Sequence, residues 1–179
     1  MLRLAASCLL FAVCASFNAV AADKPVPPPL HKVPDALVDF LSGEWTGEGE
    51  FASGKKIEAS VSFSSDLDGQ WLAYRHADRP PGKYKAAGMW GYAKGGDEFV
   101  MTLNDNFGGA RRFASRGWED GRVVFENVAN ATAPAAGRER FVFERYEKNR
   151  LKMTYERGDD EAGWRMVDYV VFTRKAASS

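Results

Sequence analysis

Gly43-Glu44-Trp45-Thr46-Gly47-Glu48-Gly49-Glu50-Phe51 is the stretch that decides the fold. Read with period two, Trp45, Gly47, Gly49 and Phe51 share one face, and Glu44, Thr46, Glu48 and Glu50 share the other. The acidic face must be wet, because unpaired buried carboxylates are costly. The opposite face carries an aromatic ring at each end and two glycines between, and interior glycines mark a sharp bend or a close backbone approach. A strand that bends hard with one wet face suits a sheet that curls on itself.

Working outward, every segment downstream also reads as a strand. Residues 55–65 alternate cleanly, with Ile57, Ala59, Val61 and Phe63 set against Glu58, Ser60, Ser62 and Ser64. Further strand patterns cover 70–77, 84–92, 98–104, 111–118, 122–128, 138–146, 151–156 and 164–173. Between them lie turn signals such as Asp66-Leu67-Asp68-Gly69 and Arg79-Pro80-Pro81-Gly82, and Asp120-Gly121 signals a tight hairpin. Upstream, Asp35–Leu41 reads as a short helix, started by Pro34 and Asp35 and stopped by Gly43. Its apolar face, Leu37, Val38, Phe40 and Leu41, would plug the base of a barrel. The expectation is an all-β, antiparallel up-and-down β-barrel of about ten strands with a short N-terminal helix, over residues 35–175. A β-sandwich is the alternative.

Residues 1–22 read as a secretory signal peptide. Arg3 is the only charge before Asp23, Leu4 to Val20 is mostly apolar, and Ala19-Val20-Ala21 fits the small-x-small cleavage rule. A membrane anchor is the alternative, and a lipid-attached Cys8 or Cys14 a further one. Cleavage would remove both cysteines, leaving no disulfide or thiolate ligand. It would also take the basic count from 24 to 23 against 24 acidic residues, a net charge near −1. A near-neutral chain of interspersed signs argues against nucleic acid as a partner and against a basic membrane-binding patch. Residues 23–34 hold five prolines, Pro25, Pro27, Pro28, Pro29 and Pro34, and read as an extended linker. After signal cleavage no integral membrane span is expected. The expected location is the periplasm or the extracellular space.

A resemblance rests on these residues. A short helix, then Gly43-x-Trp45 opening the first strand, with Arg174 near the end of the last, is similar to the lipocalin and fatty-acid-binding (calycin) barrel superfamily. The resemblance implies that Arg174 packs across Trp45 at the closed end of the barrel. The wording Leu41 to Glu50 also resembles nitrobindin-type haem barrels. The pattern as a whole, with Gly88-x-x-Gly91-Tyr92, Asp105-Asn106-x-Gly108 and Gly117-Trp118, resembles a family of exported bacterial lipocalin-like domains with no assigned function.

Candidate chemistry is sparse. His31 lies in the linker, and His76 shares a strand face with Leu72 and Tyr74. No His-x-His or His-x-x-x-His spacing exists, which argues against zinc or non-haem iron. The histidine that the nitrobindin resemblance implies near the last strand is missing from residues 164–174, which argues against histidine-ligated haem; Met166 and Tyr169 are the residues there able in principle to ligate iron. No Gly-x-Ser-x-Gly elbow is present, and the acidic pairs Asp66/Asp68 and Asp159/Asp160 sit in turn sequences. No cofactor is expected. Arg75, Arg112, Arg116, Arg140 and Arg145 lie inside strands, where an inward arginine would hold a carboxylate bidentately and an outward one would lay its stem along the sheet. Turn-based pairing places Leu72, Tyr74 and His76 with Ala87, Met89 and Gly91 and with Phe99, Met101 and Leu103, the Met101 side inward. The candidate ligand-binding residues are Tyr74, His76, Met89, Met101, Phe113, Arg112 and Arg140; Gly43, Trp45 and Arg174 are the candidate structural motif. The functional expectation is a binder of a small apolar, amphipathic or carboxylate-bearing molecule. The alternatives are a barrel isomerase, cyclase or decarboxylase using Tyr74, His76 and an inward arginine, and a non-enzymatic envelope interaction domain.

Overall fold

The computed structural model describes residues 30–96, 98–127, 137–159 and 163–176. The expected signal peptide, most of the linker and the small-residue loop from Asn130 onward lie outside them. Among the described residues the chain forms helix α1 (Asp35–Leu41) and ten strands. These are β1 (Gly43–Phe51), β2 (Lys56–Asp66), β3 (Trp71–Asp78), β4 (Lys85–Tyr92), β5 (Phe99–Asp105), β6 (Ala110–Ser115), β7 (Arg122–Asn127), β8 (Arg138–Glu147), β9 (Arg150–Asp159) and β10 (Gly163–Arg174). Each strand pairs antiparallel with its sequence neighbours, and β1 closes on β10, giving the expected up-and-down barrel. The Asp120-Gly121 hairpin forms as its sequence indicates, with both residues at positive φ and Glu119 bridged to Arg122.

Closure depends on the two glycines of β1. A Cβ on Gly49 would lie 1.8 Å from the Tyr169 carbonyl oxygen, and one on Gly47 2.6 Å from the Val171 oxygen and the Phe172 ring. Only bare backbone lets β1 and β10 approach this closely. The outer face of β1 is acidic and accessible as its sequence requires, while Trp45 on the inner face has no solvent exposure.

The two ends of the barrel differ. At one end α1 lays Leu37, Phe40 and Leu41 over the opening. Beneath it Trp45, Trp90, Phe125, Phe143 and Phe172 fill the interior with almost no exposure. Their rings meet edge-on, Trp90 lying 4.7 Å from Phe143 and 4.8 Å from Phe125 between centroids, the arrangement aromatic quadrupoles favour. Val33, just before α1, is buried here and donates its N–H to the Gly69 carbonyl at 3.2 Å. Arg174 stacks over the Trp45 ring at 4.1 Å and donates to the carbonyls of Phe40 and Ser42. One side chain thus satisfies two carbonyls at the C-terminal end of α1, which the helix itself leaves without partners, and ties α1 to the strand that closes the barrel.

Candidate functional site

At the other end the interior is open. A cavity of about 350 Å³ lies between the inner faces of β1–β3, β5, β6 and β8–β10, with Tyr84 and Phe107 added from connecting loops. Its position follows from how each inner-face run ends. β3 runs Leu72, Tyr74, His76, Asp78; β5 runs Met101, Leu103, Asp105; β8 runs Phe143, Phe141, Glu139; β10 runs Phe172, Val170, Asp168. In each the deepest position is apolar and the last one is an acid, with His76 a polar step between them on β3. β6 and β9 end instead on Arg111 and Arg157. Alternation places all of these side chains inward, so the closed half of the barrel is greasy and the mouth is ringed with charge.

Two polar groupings line the cavity and meet where the Tyr84 ring lies 5.5 Å from that of His76. On β3, Asp78 accepts a hydrogen bond from His76 Nε2 at 2.9 Å, which leaves His76 Nδ1 to accept the Tyr74 hydroxyl proton at 3.2 Å. Burial holds the Tyr74 phenol well above its usual range. Asp168 lies near this pair on β10. Burial raises its carboxyl to about pKa 6; His76 opposes the shift, and the neighbouring Asp78 charge adds to it. Among the described residues Asp168 has neither a hydrogen-bond nor an ion-pair partner.

The second grouping is centred on Arg111. Its guanidinium donates to Glu139 at 2.9 Å, to Asp105 at 3.0 Å and to the Tyr84 hydroxyl at 3.2 Å, and lies over the Phe113 and Phe141 rings. Burial is the largest single influence and works against its charge, but the Glu139 hydrogen bond and the nearby Tyr84, Glu139 and Tyr155 oxygens together outweigh it, so its pKa is raised. Asp105 is itself fixed by the N–H groups of Phe107 and Gly109. Arg157, at the rim, donates to the Tyr155 hydroxyl at 3.1 Å.

Of the residues singled out in the sequence, Tyr74, His76 and Met101 line the cavity. Phe113 points inward but lies fully buried beneath Arg111, off the cavity wall. Met89, Arg112 and Arg140 are on the outer face, and this corrects the expected set. Met89 pairs with Ala73 and Thr102, while its neighbour Trp90 points inward opposite Leu72 and Met101. Arg112 is exposed and bonds to Glu98; Arg140 bonds to Glu156 and stacks on Trp164 at 4.3 Å. Arg75, Arg116 and Arg145 are exposed as well. Gly43 takes a φ of +116°, a conformation suited to glycine, where the chain leaves α1 beside Arg174.

Sequence reading missed Arg111, Asp168, Asp78 and Glu139. The signal was available in the period-two runs that contain Phe113, Val170, His76 and Phe141. Met166 is exposed, and Tyr169 is on the outer face beside Lys152. Among the described residues no group of three or more histidine, cysteine or acidic side chains is arranged to hold a metal ion, and no helix is long and apolar enough to cross a membrane.

No family model and no curated protein matches the sequence. Solved structures do match in fold. The crystal structure of Rv2717c from M. tuberculosis aligns over 80% of this chain and 99% of its own, with a TM-score of 0.59 at 15% identity. The S-type phycobiliprotein lyase CPES from Guillardia theta aligns over 80% of this chain and 93% of its own, with a TM-score of 0.48 at 5% identity. At 15% identity the likeness to Rv2717c is one of architecture alone, a shared barrel that in this chain is a closed ten-strand antiparallel meander.

Proposed function

We propose that this chain is an exported lipocalin-like barrel that binds one small apolar or amphipathic molecule in its open half, apolar end inward. The observation that carries the reading is the cavity of about 350 Å³, greasy in its depth and polar at its mouth. That volume falls at the lower end of small-molecule sites, and the mouth of a barrel is a common place for one. Export is part of the proposal and rests on the signal-like residues 1–22.

The test uses the full chain, expressed with export and purified without detergent. Native mass spectra before and after organic extraction should show an adduct that extraction removes. The extracted protein should then bind the neutral dye N-phenyl-1-naphthylamine at one site, with enhanced fluorescence. Met153→Trp, which fills the cavity wall, should abolish that enhancement. Equal dye binding by the filled variant, or no adduct together with no dye binding, would sink the reading.

One observation favours a second reading, a barrel isomerase. The Tyr74–His76–Asp78 chain places a hydrogen-bonded imidazole at the cavity wall, within reach of a bound molecule. Exchange of deuterium into the carbon acid positions of a bound ketone, lost in His76→Gln, would support that reading, and exchange at the solution rate would end it.

A further inference from the structure

We infer that the molecule this barrel takes carries an organic ammonium group on its apolar body, and that Asp168 holds it. The inference rests on the ligand-binding reading above and names the chemistry of that site. The charges around the cavity carry it. Arg111 is neutralised by Asp105 and Glu139, at 3.0 and 2.9 Å. Arg157 stands at the rim with a side chain 68% exposed and leans on Tyr155. Asp78 is engaged by His76. Asp168 alone among these cavity-lining charges has no partner in the described residues, and its cross-strand neighbours are rings, Phe51 on β1 and Tyr155 on β9. Tyr74, Tyr84, Phe141 and Phe143 line the same space.

A ligand carboxylate would find an open cation only at the rim, in Arg157, whose side chain is 68% exposed, screened by water and 4.0 Å from Glu139. Beside Asp168 and Asp78 it meets like charge, and beside Arg111 it competes with two acids already on the terminal nitrogens, the one unpartnered nitrogen, Nε, being fully buried. A ligand ammonium meets an unpaired carboxylate among aromatic faces, whose quadrupoles attract cations. It also relieves the cost of holding Asp168 out of water. The carboxylate-clamping arginines expected from the sequence, Arg112 and Arg140, are outside the barrel, so the polarity of the site is opposite to that expectation.

Three probes of one chain length decide the matter: decylamine, decanoate and decan-1-ol, titrated calorimetrically into the extracted wild-type protein at pH 7.5. Decylamine should bind roughly ten- to a hundredfold more tightly than decan-1-ol, the range for a hydrogen bond to a charged group. In Asp168→Asn that ratio should fall toward one. As a check on the native chain, the ratio should shrink between pH 7.5 and pH 5 as Asp168 takes up a proton, with Tyr74, His76 and Asp78 of β3 and Tyr155 of β9 as the titratable groups facing it. Decanoate binding as tightly as decylamine, an amine-to-alcohol ratio near one, or a ratio unmoved in Asp168→Asn and at pH 5 would each overturn the inference. If none of the three binds while the neutral dye does, the amine inference fails and the cavity reading stands. If the dye fails too, both fail.

Discussion

Replacing Asp168 with asparagine should stabilise the protein, and the size of the gain should depend on pH. The carboxyl is raised from an ordinary 3.8 to about 6, chiefly by burial. A raised acid contributes its full stability below its unfolded pKa and loses it as the pH climbs through the folded value. Two pK units correspond to roughly 3 kcal/mol of penalty once the group is ionised, at about 1.4 kcal/mol per unit. Asparagine keeps the shape and forfeits no bond, since Asp168 has no partner among the described residues. The variant should therefore match wild type below pH 4, gain steadily to pH 6, and hold a gain of roughly 2–3 kcal/mol at pH 7–8. Urea denaturation of both proteins at half-unit pH intervals measures this, and the difference between the two curves cancels the distant titrating groups. His76 and Asp78 do not cancel, because both feel the Asp168 charge; repeating the comparison in a His76→Gln background isolates their share. A flat difference curve, or a variant less stable than wild type at pH 7, would show that Asp168 is solvated or paired in solution. The burial argument, and the ligand inference built on it, would then fall.

Arg174→Ala should cost roughly 2–4 kcal/mol, because two carbonyls of the α1 terminus lose a charged donor and Trp45 loses its stacked cation. Arg174→Lys should recover only part of that, since an ammonium cannot fork between Phe40 and Ser42; chemical denaturation ranks the three, and a loss under 0.5 kcal/mol for alanine would refute the role. Gly49→Ala should cost roughly 3 kcal/mol or prevent folding, as its Cβ would collide with the Tyr169 carbonyl and push β1 from β10. Gly54→Ala, a turn glycine with no atom near its Cβ position but a φ of +82°, serves as the control for backbone strain alone; equal losses in the two would remove the close-approach argument.

The architecture was legible because it is written in local signals. Turn residues punctuate ten alternating segments, and the Gly43–Phe51 stretch carries both the bend and the wet face. The helix and the Asp120-Gly121 hairpin depend on residues within a few positions of each other, so a single sequence contains them. Facing is different. A four-residue turn at Arg79 to Gly82 pairs Asp78 with Lys83, but the Asp78 N–H bonds instead to the Tyr84 carbonyl. Adding Lys83 to the connection flips every residue of β4, and Met89 goes out while Trp90 goes in. Arginine's orientation was hidden for another reason. Arg111 and Arg112 are adjacent, and which one turns inward is set by the pairing of Leu103 with Arg111 across β5 and β6, not by either side chain.

The inner-face runs also explain why the barrel is filled at one end only. Where the strands converge under α1, tryptophan and phenylalanine are large enough to meet across the axis, and the interior packs as a core. Toward the mouth the same faces end on charged residues, Asp78, Arg111, Arg157 and Asp168, beside rings such as Tyr84 and Tyr155 that line the space without filling it. These cannot reach across, and charges that must keep contact with water or with each other line the rim rather than closing the gap. The cavity is thus a direct result of residue size and charge along each strand. The aromatic end supplies stability enough for the mouth to keep a part-buried acid that has no partner among the described residues. The barrel's two halves are therefore not interchangeable: substitutions among Trp45, Trp90 and Phe172 should be read out in melting temperature, and those at Asp168, Asp78 and Arg111, on the binding function proposed above, in ligand preference.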